Sequence, residues 1–440
     1  MLTNFLSKNS IAQLALLTGV MAINYILYCT KDTLIVHHIS PESIVFLRTY
    51  LVLPFIFLFF LVSNKLSSLF GLKQFFMVLV TAFVVFQVGF AFVLYPNLEF
   101  FKFSISETTL WLSPFYQLFV LWPLTLFYLV AEIWVVFVLG VIIWQAINTM
   151  NTVDSAKKNY HSLQFFSNVI IILTSQLILF INFTNAGDWC FSLKVKSLLL
   201  IPLGFLVVYS IFILLPSGNL KKTKKKSISI LSTLKLIAKS QKGTALFFLI
   251  LFYAFCNTFS ETINRFYIKN YALDIISYNN VMAMQSLFIS IFTIIFIILG
   301  KFLVRYNLQI LSIVLTPMFV LTTTITVICL SVFYPQHAWL LMMVSVLQLS
   351  VIKSSKYGLI DPVKECCYLE LDDEMKAQGK SFIDGISNRF GKTLGNFFQQ
   401  FIFIAKGELS SSLLILMMFL AITSVFWIFN TVNSHHNRST

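Results

Sequence analysis

Residues 121–144 read LWPLTLFYLVAEIWVVFVLGVIIW, an apolar run with a single acid, Glu132, near its middle. The run is too long for a strand and shows no alternation of apolar and polar positions. It matches the roughly 20 residues a helix needs to cross a hydrocarbon core about 30 Å thick. A carboxylate at that depth costs several kcal/mol unless it is protonated, paired with a cation or set in a wet cavity. The stretch therefore reads as a membrane-spanning helix in a bundle with a polar interior.

Similar runs recur on both sides of it. About twelve spans are predicted, at 11–29, 44–62, 75–95, 121–144, 163–183, 195–215, 245–260, 281–299, 308–332, 338–351, 381–405 and 413–429. The composition agrees: 58% of the 440 residues are hydrophobic and only 11% charged, with a mean hydropathy of +0.86. Soluble domains carry roughly 25% charged residues. A β-barrel is excluded by runs of about 20 apolar residues without a period of two. The span at 381–405 is the weakest, because Asp384, Arg389 and Lys392 occupy its first half; that half is expected to face protein or water.

The charge pattern sets orientation and division. The net charge is +14, and with a cytoplasmic N-terminus about 23 of the 31 Lys and Arg fall on the cytoplasmic side. Both termini are expected there. No basic soluble domain exists to bind nucleic acid, so the charge is read as topology. The longest charged break, 216–242, contains the lysine run Lys221-Lys222 and Lys224-Lys225-Lys226. It predicts a basic cytoplasmic linker between a six-helix bundle over 1–215 and another over 243–440.

The two halves echo each other. Asp154-Ser155-Ala156-Lys157 and Asp361-Pro362-Val363-Lys364 place the same charged signature at the end of an apolar span. Lys31 and Glu261 lie at matching depths of the first and seventh spans, and an extra segment at 96–116 accounts for the longer first half. Such an internal repeat is the mark of a transporter built from two related halves. The expected fold is an all-α integral membrane protein with two pseudo-symmetric halves of six helices.

Lys31, Asp32, Glu132 and the pair Glu261 and Arg265 are functional candidates, because charges within spans are costly. A simpler reading has Lys31 and Arg265 snorkelling to the interface and Glu132 as a structural partner. Glu261 and Arg265 stand four apart on one helical face, acid first, the favourable order for a local pair. Lys353, Lys356, Lys364 and Lys380, with Asp361 and a series of acids to Glu374, fill the connection after the tenth span. Charge composition reads that connection as a solvated loop. Pro362 beside Asp361 argues instead for a broken helix end suited to anionic oxygens.

Other chemistries find little support. The pairs His37-His38 and His435-His436 are adjacent, not four apart, and the six cysteines show no C-x-x-C spacing, so no metal site or disulfide is predicted. Gly379-Lys380 and Gly391-Lys392 lack the upstream glycine of a phosphate loop. Neither a catalytic site nor a cofactor is expected, and any nucleotide is cargo.

Certain short stretches carry a family likeness. They are Asn24-Tyr25, Lys31-Asp32-Thr33-Leu34, Phe46-Leu47-Arg48-Thr49-Tyr50 and Leu53-Pro54; then Ala131-Glu132-Ile133-Trp134 and Thr152-Val153-Asp154 with Ala156-Lys157; then Glu261 with Arg265. The most distinctive block comprises Lys356-Tyr357, Asp361-Pro362-Val363-Lys364-Glu365, Tyr368, Leu371-Asp372, Gly379-Lys380, Asp384, Arg389, Gly391-Lys392 and Gln399-Gln400. Together, in order along nearly the whole chain, they resemble the ATP/ADP translocase type of nucleotide transporter of obligate intracellular bacteria and plastids.

The resemblance implies a major-facilitator-like bundle of twelve helices whose halves rock about a central nucleotide site. It gives Lys31, Glu132, Glu261 and Lys364 key roles. The chain departs from the family in having Tyr28-Cys29-Thr30 where an arginine is usual, Glu370 for a proline and Asn264 for a tryptophan. Those departures leave the fold reading intact and the cargo open.

A nucleoside di- or triphosphate brings about three to four negative charges, which convergent cations must offset. Lys31, Arg265 and Lys364 are the expected phosphate residues, and Tyr368 the aromatic nearest the motif for the base. Asp32, Glu132, Asp154, Lys157, Glu261 and Asp361 are expected to gate or couple transport. The expected protein is a monomeric multi-pass carrier in the inner membrane of an intracellular bacterium, surrounded by lipid. It works by exchange or proton symport; a proton-coupled carrier of another organic anion and a non-transporting scaffold are the alternatives.

Overall fold

A computed structural model describes residues 8–70, 72–103, 113–142, 153–184, 187–214, 240–306, 308–369, 387–406 and 409–439. The described residues are almost wholly helical. Eleven of their helices are long and apolar enough to cross a membrane. They are α1 (Ile11–His38), α2 (Pro41–Ser63), α3 (Lys73–Leu94), α4 (Trp122–Gly140), α5 (Phe165–Thr184), α6 (Trp189–Leu214), α7 (Gly243–Tyr271), α8 (Ile275–Leu303), α9 (Ile310–Phe333), α10 (Ala338–Lys364) and α12 (Ser412–Thr431). Between the last two lies α11 (Asn388–Lys406), at the place of the weak predicted span. Most of the basic linker and residues 370–386 lie outside the described residues.

The chain divides into two compact units, Met1–Lys222 with Ala272–Leu287, and Thr223–Tyr271 with Phe288–Thr440. Within the first, α1 packs on α4, α5 and α6, and α3 packs on α6. The second repeats these neighbours with every helix number raised by six: α7 packs on α10, α11 and α12, and α9 on α12. The repeat inferred from scattered charges is thus a repeat of packing.

Small residues set several of these contacts. A Cβ on Gly19 of α1 would lie 2.6 Å from Val207 of α6, and one on Gly204 of α6 would lie 2.6 Å from Val84 of α3. In the second unit Gly391 and Gly395, four apart on α11, lie against Leu251, Ala254 and Thr258 of α7. Without a hydrophobic drive between helices in lipid, such close backbone approach is what holds them.

Two predicted spans end too early. The seventh, expected to stop at 260, runs to Tyr271, and the tenth, expected to stop at 351, runs to Lys364. Both expected ends fell just before a charged residue, Glu261 and Lys353. In the structure those two charges meet, so neither helix has to end there.

Pro362 does not break α10. The ring removes one backbone donor and crowds the carbonyl four residues back, and a turn of π-helix over Lys356–Ile360 takes up the mismatch, with the Asp361 N–H bonded to the carbonyl of Lys356. Another π segment, Trp134–Ile142, begins two residues after Glu132.

Candidate functional site

Each unit gathers several of the candidate charges into one cluster. In the first, Lys31 of α1 and Glu132 of α4 form a direct ion pair, with side chains 5% and 15% exposed. The Lys31 ammonium lies 4.6 Å from the centre of the Tyr128 ring, one helical turn before Glu132. Tyr128 accepts a hydrogen bond on its hydroxyl from Arg48 Nε of α2 at 3.0 Å. Asp32 is fully buried, and it and Arg48 act electrostatically on Lys31. Trp134 anchors α4 against α1 by donating its ring N–H to the carbonyl of Val20 at 3.3 Å.

Glu132 is therefore paired, and it is the pairing that lets a carboxylate persist in this span. The desolvation of two charges is offset only by a close partner and further polar contacts, and here two cations and a tyrosine surround two acids. The simpler reading in which Lys31 snorkels to an interface does not hold, since Lys31 is 4% exposed and turned to α4.

In the second unit Glu261 of α7 is the centre. Its Oε1 accepts from Lys353 Nζ of α10 at 3.0 Å and from Asn257 Nδ2 at 3.2 Å, while Oε2 lies 3.4 Å from the Arg265 guanidinium. The local pair expected from the spacing of Glu261 and Arg265 is present, and a second cation joins it. Asn264, on the same helix, donates to Ser345 of α10 at 3.3 Å. Further along α10, Lys364 donates to Asp361 at 2.9 Å, and Tyr368 is buried.

Asp154 and Lys157 lie on the helical run Val153–Thr184, with their side chains outside the described residues. Four residues of these clusters, Arg48, Tyr128, Asn257 and Lys353, were not among the expected site residues. Arg48 sits inside a motif that carries the family likeness, and its charge within a span was the available signal. Lys353 continues the buried stripe Val346, Leu349 and Ser350 at helical spacing. Its neighbours in a charged stretch concealed that.

The profile of the TLC ATP/ADP transporter family matches residues 6–437. The chain belongs to that family. It is 28% identical over 435 residues to ADP,ATP carrier protein 2, chloroplastic, of Arabidopsis thaliana, covering 91% of this chain and 70% of that one. To ADP,ATP carrier protein 3 of Rickettsia conorii it is 25% identical over 444 residues, covering 91% and 89%.

Among solved structures, the nucleoside transporter NupG has a TM-score of 0.56 at 13% identity, covering 98% of this chain and 99% of that one. A partially occluded, inward-open form of the xylose transporter XylE from E. coli also has a TM-score of 0.56, at 14% identity, with 95% of each chain covered. At such identities these two show the fold, that of major-facilitator transporters. This TLC family member is a multi-pass membrane protein.

Proposed function

We propose that this protein carries nucleoside di- and triphosphates, ATP and ADP among them, across a membrane by alternating access. The observation that carries the reading is the family match over nearly the whole chain. Ion pairs held inside the spans on α1, α4, α7 and α10 support it. An idle bundle gains nothing from buried ion pairs, which apolar residues of similar volume replace at no loss of stability.

In this reading Lys31, Arg265 and Lys364 receive cargo phosphate and Tyr368 offers a ring to the base. Glu132 and Glu261 hold the cations when cargo is absent, and Asp32, Asp154, Lys157 and Asp361 gate or couple the cycle. Exchange of nucleotides and proton symport are both compatible with paired acids and bases in the interior. The protein works as a carrier and not as an enzyme. It acts as a monomer in a lipid bilayer, the inner membrane of an intracellular bacterium, with both termini in the cytoplasm.

The test is uptake of labelled ATP, ADP, other nucleotides and unrelated organic anions into proteoliposomes, with and without internal nucleotide and with and without a proton gradient. Saturable ATP or ADP uptake that needs internal nucleotide is expected for exchange, and uptake that follows the proton gradient for symport. Transport of another organic anion with no nucleotide uptake would sink the reading.

A further inference from the structure

The two buried ion pairs join the corresponding helices of the two units with their signs exchanged. Within the first unit α1 packs on α4, and within the second α7 packs on α10, the same relation six helices on. In the first, α1 supplies the cation Lys31 and α4 the anion Glu132; in the second, α7 supplies the anion Glu261 and α10 the cation Lys353.

Exposure follows helix position and not sign. The side chains on α1 and α7 are the deeper members, at 5% for Lys31 and 9% for Glu261. Those on α4 and α10 are the more accessible, at 15% for Glu132 and 17% for Lys353. The inversion thus leaves the anion as the less deeply buried member in the first unit and the ammonium in the second.

Charge balance bears on whether Lys353 can leave. Glu261 has two cationic partners, Lys353 and Arg265, and also Asn257. If Lys353 turns away, Glu261 still keeps an amide and the Arg265 guanidinium, whose five N–H donors can hold Glu261 and a phosphate oxygen together, so no uncompensated charge is stranded in the interior, which is the costly outcome of breaking a buried pair. In the first unit Glu132 is paired directly with Lys31 and also feels the charge of Arg48, which donates to Tyr128. Lys353 is the group that can be given up.

We propose that Lys353 is a further cargo-binding residue, an ammonium that exchanges Glu261 for a phosphate oxygen of the transported polyanion. The inference rests on the nucleotide reading of the preceding section and adds a residue and a competition to it. Glu261 acts as the internal rival of cargo phosphate. A polyanion with several phosphoryl oxygens outcompetes one carboxylate, and one with none does not.

The experiment measures binding, not transport, with purified protein in detergent and a series of ATP, ADP, AMP and adenosine. In the wild type, affinity is expected to fall as phosphates are removed. Lys353→Gln is expected to lose about tenfold or more for ATP and ADP and little for adenosine, the loss of one charge-assisted bond. Lys353→Arg should keep much of the phosphate dependence. Glu261→Gln, with Lys353 intact, should tighten ATP and ADP binding by removing the rival.

Unchanged ATP and ADP affinity in a folded Lys353→Gln would overturn the proposal while leaving the nucleotide reading standing. If Lys353→Gln does not fold, weaker or unchanged binding in Glu261→Gln overturns it. Wild-type protein that binds no nucleotide overturns both.

Discussion

A buried ion pair leaves a signature at the residue scale that separates folding from transport. Removing one member of the Lys31 and Glu132 pair strands the other, which costs about 3–5 kcal/mol, whereas replacing both by apolar groups is often neutral. Glu132→Ala alone is therefore expected to lower the midpoint of thermal unfolding in detergent. The double replacement Lys31→Met with Glu132→Leu should recover most of it and still transport nothing. Recovery of transport in that double variant would place the pair outside the mechanism. Lys31→Ala and Lys364→Ala are each expected to abolish nucleotide uptake; normal uptake in either one, stably inserted, would remove that lysine from the phosphate site. Replacement by Arg should rescue in part, since a planar fork does not fill the place of a point charge. Much of this was legible beforehand, because an acid at mid-span must have a partner. Which cation it takes was not: Lys31 and Glu132 stand 101 residues apart in sequence. Lys353 was hidden by its charged neighbours.

At the scale of helices, two glycines of the second unit make the sharpest prediction. Gly300 of α8 and Gly358 of α10 lie backbone to backbone, so a side chain on Gly300 would run into the carbonyl of Gly358, and one on Gly358 into Phe296. Gly300→Ala and Gly358→Ala are each expected to cost about 1–3 kcal/mol through overpacking, read as a lower unfolding midpoint. A midpoint equal to wild type for either would show that the helices part easily. A polar knot does comparable work in the first unit. The fully buried amino group of Lys196 donates to Asn279 Oδ1 at 2.7 Å, Asn279 donates to the Cys29 carbonyl and to Thr33, and Asn182 donates to Asn279 Oδ1 at 3.0 Å. Lys196→Met should keep the helix and loosen this knot, seen as faster proteolysis near Ala272. The helices themselves were readable from apolar runs. Their ends were misread at Glu261 and Lys353, since a hydropathy window cannot tell a charge that has a partner from one that faces water.

For the whole molecule, the distribution of Lys and Arg predicts topology. Labelling of single cysteines in intact cells should find the run at 221–226 and both termini protected from outside reagents, and residues in the turn at Gly187 and Asp188 reactive. External labelling of the lysine run would reverse the orientation. The repeat, too, was visible as two charged tetrapeptides, yet those residues alone did not show what repeats. Packing does: α1 and α7 each touch the last three helices of their own set. Neighbour relations of this kind are written in small and polar residues scattered through the chain, and become readable only once the helices are in place.

The π turn at Lys356–Ile360 fixes an angular phase. One residue beyond the α-helical count advances the helix by about 100°, so everything after it is rotated relative to everything before. Lys353 lies before the turn and Asp361, Lys364 and Tyr368 after it. The turn therefore acts as a fixed twist between two sets of side chains on one rod. Deleting Leu359 together with Pro362→Ala would straighten the rod into an ordinary helix and swing the later set round by that angle. Lys353 would keep Glu261, while Lys364 and Tyr368 would point elsewhere. A length of chain that a hydropathy plot treats as spare is, in this sense, the instrument's tuning.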